Sequence, residues 1–390
     1  MKNVTFSALA ALMIAPALWA GSGYAAGTTL YTDTVTGQVF TTPGANRTAM
    51  KTAKTPVFSK ASSLKFSGVH YLGFVSSHPQ SSDSSTYFET RRNYFQVKAY
   101  LFDDSKSYLR TTFDTHQDET GDWKVRLKYA YLFLNEILPY TGVEFGQVHR
   151  PWIDYEEHQA WFMRSISKVF VEASEASHLT NSADLGVNFK TKTDYITSEI
   201  GLFNGEGYHG EESGAGNSLE WRLTAAIMGN GAKKRQALKV RYFDISFFGQ
   251  YNRDNTKNDE QTYAFYGLHA VYNMPSFLVS AQYVRADNDN DLSDTSQYNG
   301  RGFSLNATYR FGEHKAYSVL GRYDNWTAEK TLSGSEYETN NYIYGVAWQQ
   351  NKNVKWLLSA QTYDPKDNKS YKGKDAEKRT DVLVTAEVHW

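Results

Sequence analysis

Apolar and polar residues alternate along most of this chain. In the last ten residues, Val382, Val384, Ala386, Val388 and Trp390 share one parity, and Leu383, Thr385, Glu387 and His389 share the other. Phe303, Leu305, Ala307, Tyr309 and Phe311 likewise oppose Ser304, Asn306, Thr308 and Arg310. Trp123, Val125, Leu127, Tyr129, Tyr131 and Phe133 oppose Lys124, Arg126 and Lys128. Leu219, Trp221, Leu223, Ala225 and Ile227 oppose Glu220, Arg222 and Thr224. A period of two belongs to strands with one apolar and one polar face. Facing lipid, a mid-strand Lys or Arg costs about 2–4 kcal/mol near the bilayer midplane. Facing water it costs little, so the polar faces are predicted to line a wet lumen.

The alternation recurs in sixteen segments: Leu64–His78, Tyr87–Phe102, Ser107–Gln117, Trp123–Asn135, Gly142–His149, Ser182–Lys190, Tyr195–Asn204, Ser218–Gly229, Leu238–Asn252, Thr262–Asn273, Phe277–Ala286, Gly300–Phe311, Ala316–Thr327, Asn340–Gln350, Val354–Asp364 and Arg379–Trp390. Short connections such as Thr191–Asp194 and Asn273–Ser276 alternate with long polar ones such as Gly205–Asn217 and Pro365–Lys378. An even strand number and this asymmetry predict an all-β fold, a 16-stranded antiparallel transmembrane β-barrel over residues 64–390. The last strand is expected to close on the first. The pattern blurs at Asp244–Phe248, where a bulge is expected.

The N-terminus places that barrel. Lys2, the apolar run Phe6–Ala20 and Tyr24-Ala25-Ala26 read as a signal peptide over residues 1–26. The alternative, an anchoring helix, has a run of only about fifteen residues, short for a span. Residues 27–63 read as a periplasmic or plug-like leader, with a hairpin of Leu30–Thr34 and Gln38–Thr42 about Thr36-Gly37. The expected location is the bacterial outer membrane, in contact with lipid and lipopolysaccharide. There are no cysteines, which excludes disulfides and thiolate chemistry. Lys plus Arg number 41 against 42 Asp plus Glu, a balance that argues against a nucleic-acid partner.

The lumen is the candidate site. Parity turns inward the basic residues Arg92, Lys98, Arg110, Lys124, Arg126, Lys128, Lys190, Arg222, Lys239, Arg241, Arg310 and Arg322, and the acids Asp114, Glu144, Asp184, Glu220, Asp324 and Glu387. Two readings stay open: an anion-preferring channel, or charges that pair across the lumen and leave mild selectivity. Arg110, Lys124, Arg126 and Lys128 form a candidate basic ladder. The longest connection, His149–Thr180, carries Phe162, Ile166, Val169, Phe170 and Ala173 at helical spacing, which predicts a helix within His158–Ala173. Such anchors predict a loop folded inward to narrow the pore, with Arg164, Lys168, Asp154, Glu156 and Glu157 at the constriction. The alternative is an outer lid or a contact between protomers.

Arg91–Tyr100, Leu127–Phe133, Glu144–Trp152, Phe162–Phe170 and Ala183–Val187 together resemble the phosphate-selective porin O and P family. The likeness covers about Arg91–Phe203 and is architectural beyond it. It implies sixteen strands, a homotrimer, an inward third loop and a basic lumen. The chain departs from the family pattern at Gly146–Trp152, read Gly-Gln-Val-His-Arg-Pro-Trp, and at Ala183, where an Arg often stands.

Other chemistry finds less support. Asp287–Asp294 spaces carboxylates like the start of a calcium loop but lacks its glycine, and Tyr298 stands where a closing Glu belongs. No nucleophile-elbow, zincin or P-loop pattern is present, and the histidines lack metal-ligand spacing. The expectation is a passive channel for small hydrophilic solutes, anions among them, with no catalytic residues, metal or cofactor. A barrel-embedded hydrolase and a structural or adhesive barrel are the alternatives.

Overall fold

The computed structural model describes residues 31–36, 38–49, 61–101, 104, 106–210, 216–231, 235–253, 262–290, 297–366 and 377–390. The expected signal peptide lies outside them. The chain divides into two units, residues 1–57 and 58–390. In the first, β1 (Tyr31–Asp33), β2 (Val39–Phe40) and β3 (Arg47–Ala49) form a small antiparallel sheet in the order β2-β1-β3. The pairs Tyr31↔Phe40 and Thr32↔Val39 join the two predicted hairpin arms. Asp33 Oδ1 accepts the Val35 and Thr36 N–H groups at 2.9 and 2.8 Å, which starts the turn.

The second unit holds sixteen strands. They are β4 (Ala61–Pro79), β5 (Ser85–Leu101), β6 (Tyr108–Gln117), β7 (Trp123–Leu138), β8 (Thr141–His149), β9 (Ala183–Lys192), β10 (Ile196–Phe203) and β11 (Asn217–Ala226). The second half continues with β12 (Tyr242–Arg253), β13 (Tyr263–Met274), β14 (Phe277–Asn290), β15 (Gln297–Phe311), β16 (Tyr317–Lys330), β17 (Glu336–Gln349), β18 (Val354–Pro365) and β19 (Arg379–His389). Each pairs antiparallel with its neighbours, and β19 pairs with β4 through Val384↔Phe74 and His389↔Val69, so the barrel is closed. All sixteen predicted strands are present. β12 begins at Tyr242 rather than Leu238. Lys239 and Arg241 therefore lie in the preceding turn region, exposed, and not in the lumen as parity had placed them. The bulge expected at Asp244–Phe248 is also absent, since β12 keeps unbroken register with both neighbours.

Parity assigns the faces through most of the barrel. Leu305, Tyr309, Leu219 and Val384 are exposed on the outside, while Asn306, Arg310, Glu220 and Thr385 are buried inside. Register shifts interrupt it, two of them beside lumenal basic residues. Tyr71 pairs with Arg92 and Leu72 with Thr90, which leaves Arg91 as an extra residue. Thr112 pairs with Tyr129 and Phe113 with Leu127, which leaves Lys128 extra. Beyond such a bulge the side-chain parity reverses. Tyr129 and Tyr131, expected against lipid, are accordingly buried in the lumen.

The inner surface is polar only in part. Phe248, Phe265, Val284, Leu320, Trp326, Ile343 and Leu357 on β12–β18 point inward and form a cluster with residues of the long β8–β9 connection. Trp326 lies across Gly300 of β15, where a Cβ would stand 2.0 Å from Cζ2 of the indole, so only glycine leaves it room. One wall of the barrel is thus built to receive the loop, and the open space is confined to the other.

Candidate functional site: a two-chambered lumen

The β8–β9 connection enters the barrel through Arg150, whose extended backbone (φ −75°, ψ 139°) precedes helix α1 (Pro151–Gln159). Proline at the first helical position has its φ pre-set and lacks only an N–H the helix would leave unbonded. The helix predicted within His158–Ala173 is not formed; α1 ends at Ala160, and turns and irregular backbone follow. There side chains satisfy the backbone. Trp161 Nε1 donates to Ser167 O at 2.7 Å, and Ser177 Oγ to Phe170 O at 2.9 Å.

The predicted anchors still act. Ile166, Val169, Phe170 and Ala173 are fully buried, and Phe162 is half-buried in a smaller cluster. Trp152 stacks on Phe248 at 3.6 Å between ring centroids, and Phe170 meets Trp326 edge-on at 6.0 Å. Each large apolar side chain so buried contributes about 1.5–3 kcal/mol. Polar ties run to strands all round the barrel. Arg91 donates to Ile166 O (2.6 Å), Arg322 to Lys168 O (2.7 Å), Tyr263 to Leu179 O (2.6 Å) and Ser165 to Glu387 (2.6 Å). At the loop's root, Arg150 donates to Asp184 (3.0 Å), Gln250 (3.0 Å) and Gly205 O (3.2 Å) and contacts Glu220. The loop is folded inward, and the outer-lid alternative is set aside.

Two chambers open beside the loop. The larger, about 490 Å³, lies toward the long connections and is lined by residues near the β4–β5 and β18–β19 loops, such as Ser85 and Arg379. The smaller, about 190 Å³, lies toward the chain's C-terminal end and includes Ser67 and Gly68. Arg92 and Tyr94 line both, so they mark the waist. Across it, Glu157 stands 3.7 Å from Arg92 and contacts Arg164, which also contacts Glu172. Burial disfavours an ionised Glu172, but Arg164 and Lys168 outweigh it and hold the carboxyl well below the usual range.

The sequence-predicted constriction group divides. Arg164 and Glu157 meet at the waist. Asp154 lines the smaller chamber, and Lys168 the larger, 3.5 Å from Glu172. Glu156 departs from its expected place. It is buried against Gln282 of β14, outside both chambers, and burial pushes its carboxyl up to about 7 against the pull of Arg322.

The predicted lumenal bases divide too. Arg92 holds the waist, Arg126 and Lys128 the larger chamber, Arg110 the smaller. Lys98 sits 4.3 Å over the Tyr108 ring. Lys124 is at the rim, 2.5 Å from Asp118, with 60% of its side chain exposed. Lys190 reaches Glu199 (3.3 Å) and Glu144 (3.5 Å), and Arg222 reaches Glu199 (2.9 Å). Arg310 donates to Asn273 at 3.0 Å, and Arg322 pairs with Asp324 at 2.8 Å. The ladder of Arg110, Lys124, Arg126 and Lys128 therefore spreads from rim to smaller chamber rather than converging.

All six predicted lumenal acids are buried. Asp114, Glu144, Asp184, Glu220, Asp324 and Glu387 each meet a cation: Arg126, Lys190, Arg150, Arg150, Arg322 and Lys355. Charge pairing thus dominates much of the wall. In the larger chamber seven basic side chains stand among the lining residues against four carboxylates, and there too Arg91, Arg92, Arg126, Arg164, Lys168 and Arg379 each meet an acid, Glu157 and Glu172 among them. Lys128 there is buried and has no carboxylate within 4 Å among the described residues. Its Nζ contacts Ser182 Oγ and lies 3.4 Å from the Tyr208 ring centroid. His209 beside it is pushed down to about 4 by burial, then by Arg126 and Lys128, so it is neutral at pH 7 and Arg126 donates to its Nδ1 at 3.1 Å.

Sequence reasoning missed Arg91, Arg150, Glu199 and the tyrosines. The Arg91-Arg92 doublet in an otherwise alternating strand was a bulge signal. Glu199 shares parity with Thr197 on β10 and was open to the same test. The loop-borne Tyr208 left no sequence trace.

No protein-family model matches the chain, and no curated protein matches it. Solved structures do. An anion-selective porin from Comamonas acidovorans superposes with a TM-score of 0.61 at 11% identity, over 84% of this chain and 99% of that one. The trimer form of OmpT, an outer membrane protein of Vibrio cholerae, gives 0.57 at 14% identity, over 84% and 99%. The outer membrane channel DcaP of Acinetobacter baumannii gives 0.55 at 12% identity, over 84% and 97%. At these identities the likeness is one of fold, the closed sixteen-stranded porin barrel.

Proposed function

We propose that this chain is a porin of the bacterial outer membrane, a passive water-filled channel for small hydrophilic solutes with a preference for anions. The observation that carries the reading is the larger chamber. Seven basic side chains line it against four carboxylates, with Glu157 and Glu172 paired to Arg92, Arg164 and Lys168 at its edge, so an entering anion meets a small local excess of basic groups. Inorganic phosphate falls within that class, in keeping with the resemblance to the porin O and P family. The paired walls elsewhere hold the preference to a modest one. The same resemblance, and the trimer among the structural neighbours, support a homotrimer. Residues 1–26 serve as the export signal and residues 27–63 as a periplasmic or plug-like leader, with lipid and lipopolysaccharide around the barrel.

The hydrolase alternative gains nothing at the Ser–His contact near the rim. Ser76 Oγ lies 2.9 Å from His78 Nε2, but the other ring nitrogen faces Ser84 Oγ at 3.1 Å rather than a carboxylate. Planar-bilayer recording tests the reading. Discrete open channels are expected, and a purified protein that forms none overturns it.

A further inference from the structure

The smaller chamber holds opposite charges on opposite walls. On the barrel side stand Arg110 and Arg92, flanked by Tyr94 and Tyr129. On the loop side, α1 presents Asp154 and Glu157, three residues apart on one helical face. Glu157 and Arg92 are engaged at the waist, but Arg110 and Asp154 are not matched to each other.

Arg110 has no carboxylate within 4 Å among the described residues. Its Nη1 donates to His149 Nε2 at 3.0 Å and to the Tyr131 hydroxyl at 3.2 Å, and its guanidinium lies 4.6 Å from the Tyr129 ring centroid. With Nε2 accepting, His149 carries its proton on Nδ1. That nitrogen is buried and has no hydrogen-bond partner among the described residues. Among the described residues the Asp154 carboxylate has one Lys or Arg within 4 Å, Lys190 at 3.9 Å, and it lies 3.4 Å from His158 Nδ1 and 3.8 Å from His149 Nε2. Arg110 and Asp154 thus approach the same His149 nitrogen without pairing, close enough for one small solute to touch both.

A simple anion entering here satisfies Arg110 and meets repulsion from Asp154, and a simple cation does the reverse. A solute with both charges on adjacent carbons satisfies both walls. We propose that the smaller chamber is a subsite for α-amino acid zwitterions, the carboxylate on Arg110, the ammonium on Asp154 and the side chain along Tyr94 and Tyr129. The proposal rests on the channel reading and names a solute class for it.

The test uses the full-length protein in planar bilayers at pH 7, with L-phenylalanine, 3-phenylpropionate and 2-phenylethylamine as blockers of the ion current at both polarities. The two analogues lack the ammonium and the carboxylate respectively. Phenylalanine is expected to half-block at a concentration about tenfold below either analogue, the scale of one charge-assisted contact. Arg110→Gln is expected to abolish the advantage over 2-phenylethylamine, Arg110→Lys to restore most of it, and Asp154→Asn to abolish the advantage over 3-phenylpropionate. The wild-type ranking is decisive on its own should a variant fail to fold. Open channels that respond alike to all three solutes overturn the subsite and leave the channel standing. Absence of channels overturns both.

Discussion

Arg150 anchors the inward loop, and Arg150→Met tests how much of the pore depends on it. The guanidinium is 3% exposed, and its partners Asp184 and Glu220 are 0% and 4% exposed at their side chains. Methionine roughly keeps the volume but leaves two carboxylates buried without their cation. Breaking a buried pair by removing one partner costs about 3–5 kcal/mol. The backbone tie to Gly205 O and the bond to Gln250 are lost as well. The loss falls where the chain enters the lumen, so α1 is expected to loosen before the barrel does. Heat-modifiability of the barrel on semi-native gels should fall by several degrees, and single-channel conductance should rise and become noisy as the loop leaves the waist. The triple variant Arg150→Met, Asp184→Asn, Glu220→Gln removes the stranded charges and should recover most of the lost stability. An Arg150→Met protein with wild-type thermal stability and quiet wild-type conductance refutes the reasoning.

Further outcomes follow from the same geometry. Lys128→Gln should move the reversal potential toward zero, whereas Lys124→Gln, at the rim and paired with Asp118, should leave it unchanged; equal shifts contradict the assigned chamber. Trp152→Ala removes the stack on Phe248 at a cost of about 3–5 kcal/mol to loop docking. Hydrogen exchange over residues 151–173 should accelerate, and unchanged protection counts against the packing described. Glu156 has its carboxyl raised to about 7, so the folded state favours the protonated form. The stability this gives is full below the ordinary carboxylate range and is lost as pH rises to about 7. Thermal midpoints should therefore decline between about pH 4.5 and 7 in the wild type and decline less in Glu156→Gln; parallel slopes exclude this role for Glu156.

The barrel was legible because its physics is local. A charge at mid-strand opposite a run of Val, Leu and Tyr has only one economical orientation in a lipid-facing wall, and where charges were missing the alternation itself recurred. Where a residue is added, local reading fails. Arg91 and Lys128 sit at bulges, and beyond Lys128 the tyrosines expected in lipid turn inward. Leu238–Arg241 alternates like a strand but turns. In the long connection, apolar spacing pointed to a helix at His158–Ala173, but the helix forms instead from Pro151, whose φ is pre-set for a first helical position. The inward apolar residues of β12–β18 have no signature in their own strands. Their partner is a loop that lies far upstream in sequence, and only the closed barrel brings the two together. Charge counting failed for the same reason. Parity gave the facing of the six lumenal acids, but pairing depends on neighbours around the barrel.

The most direct test of the account is the zero-current potential of the purified protein in a planar bilayer under a tenfold potassium chloride gradient. The larger chamber's excess of cations predicts a potential whose sign reports faster passage of chloride than of potassium. A potential of the opposite sign, reporting a preference for potassium, contradicts it.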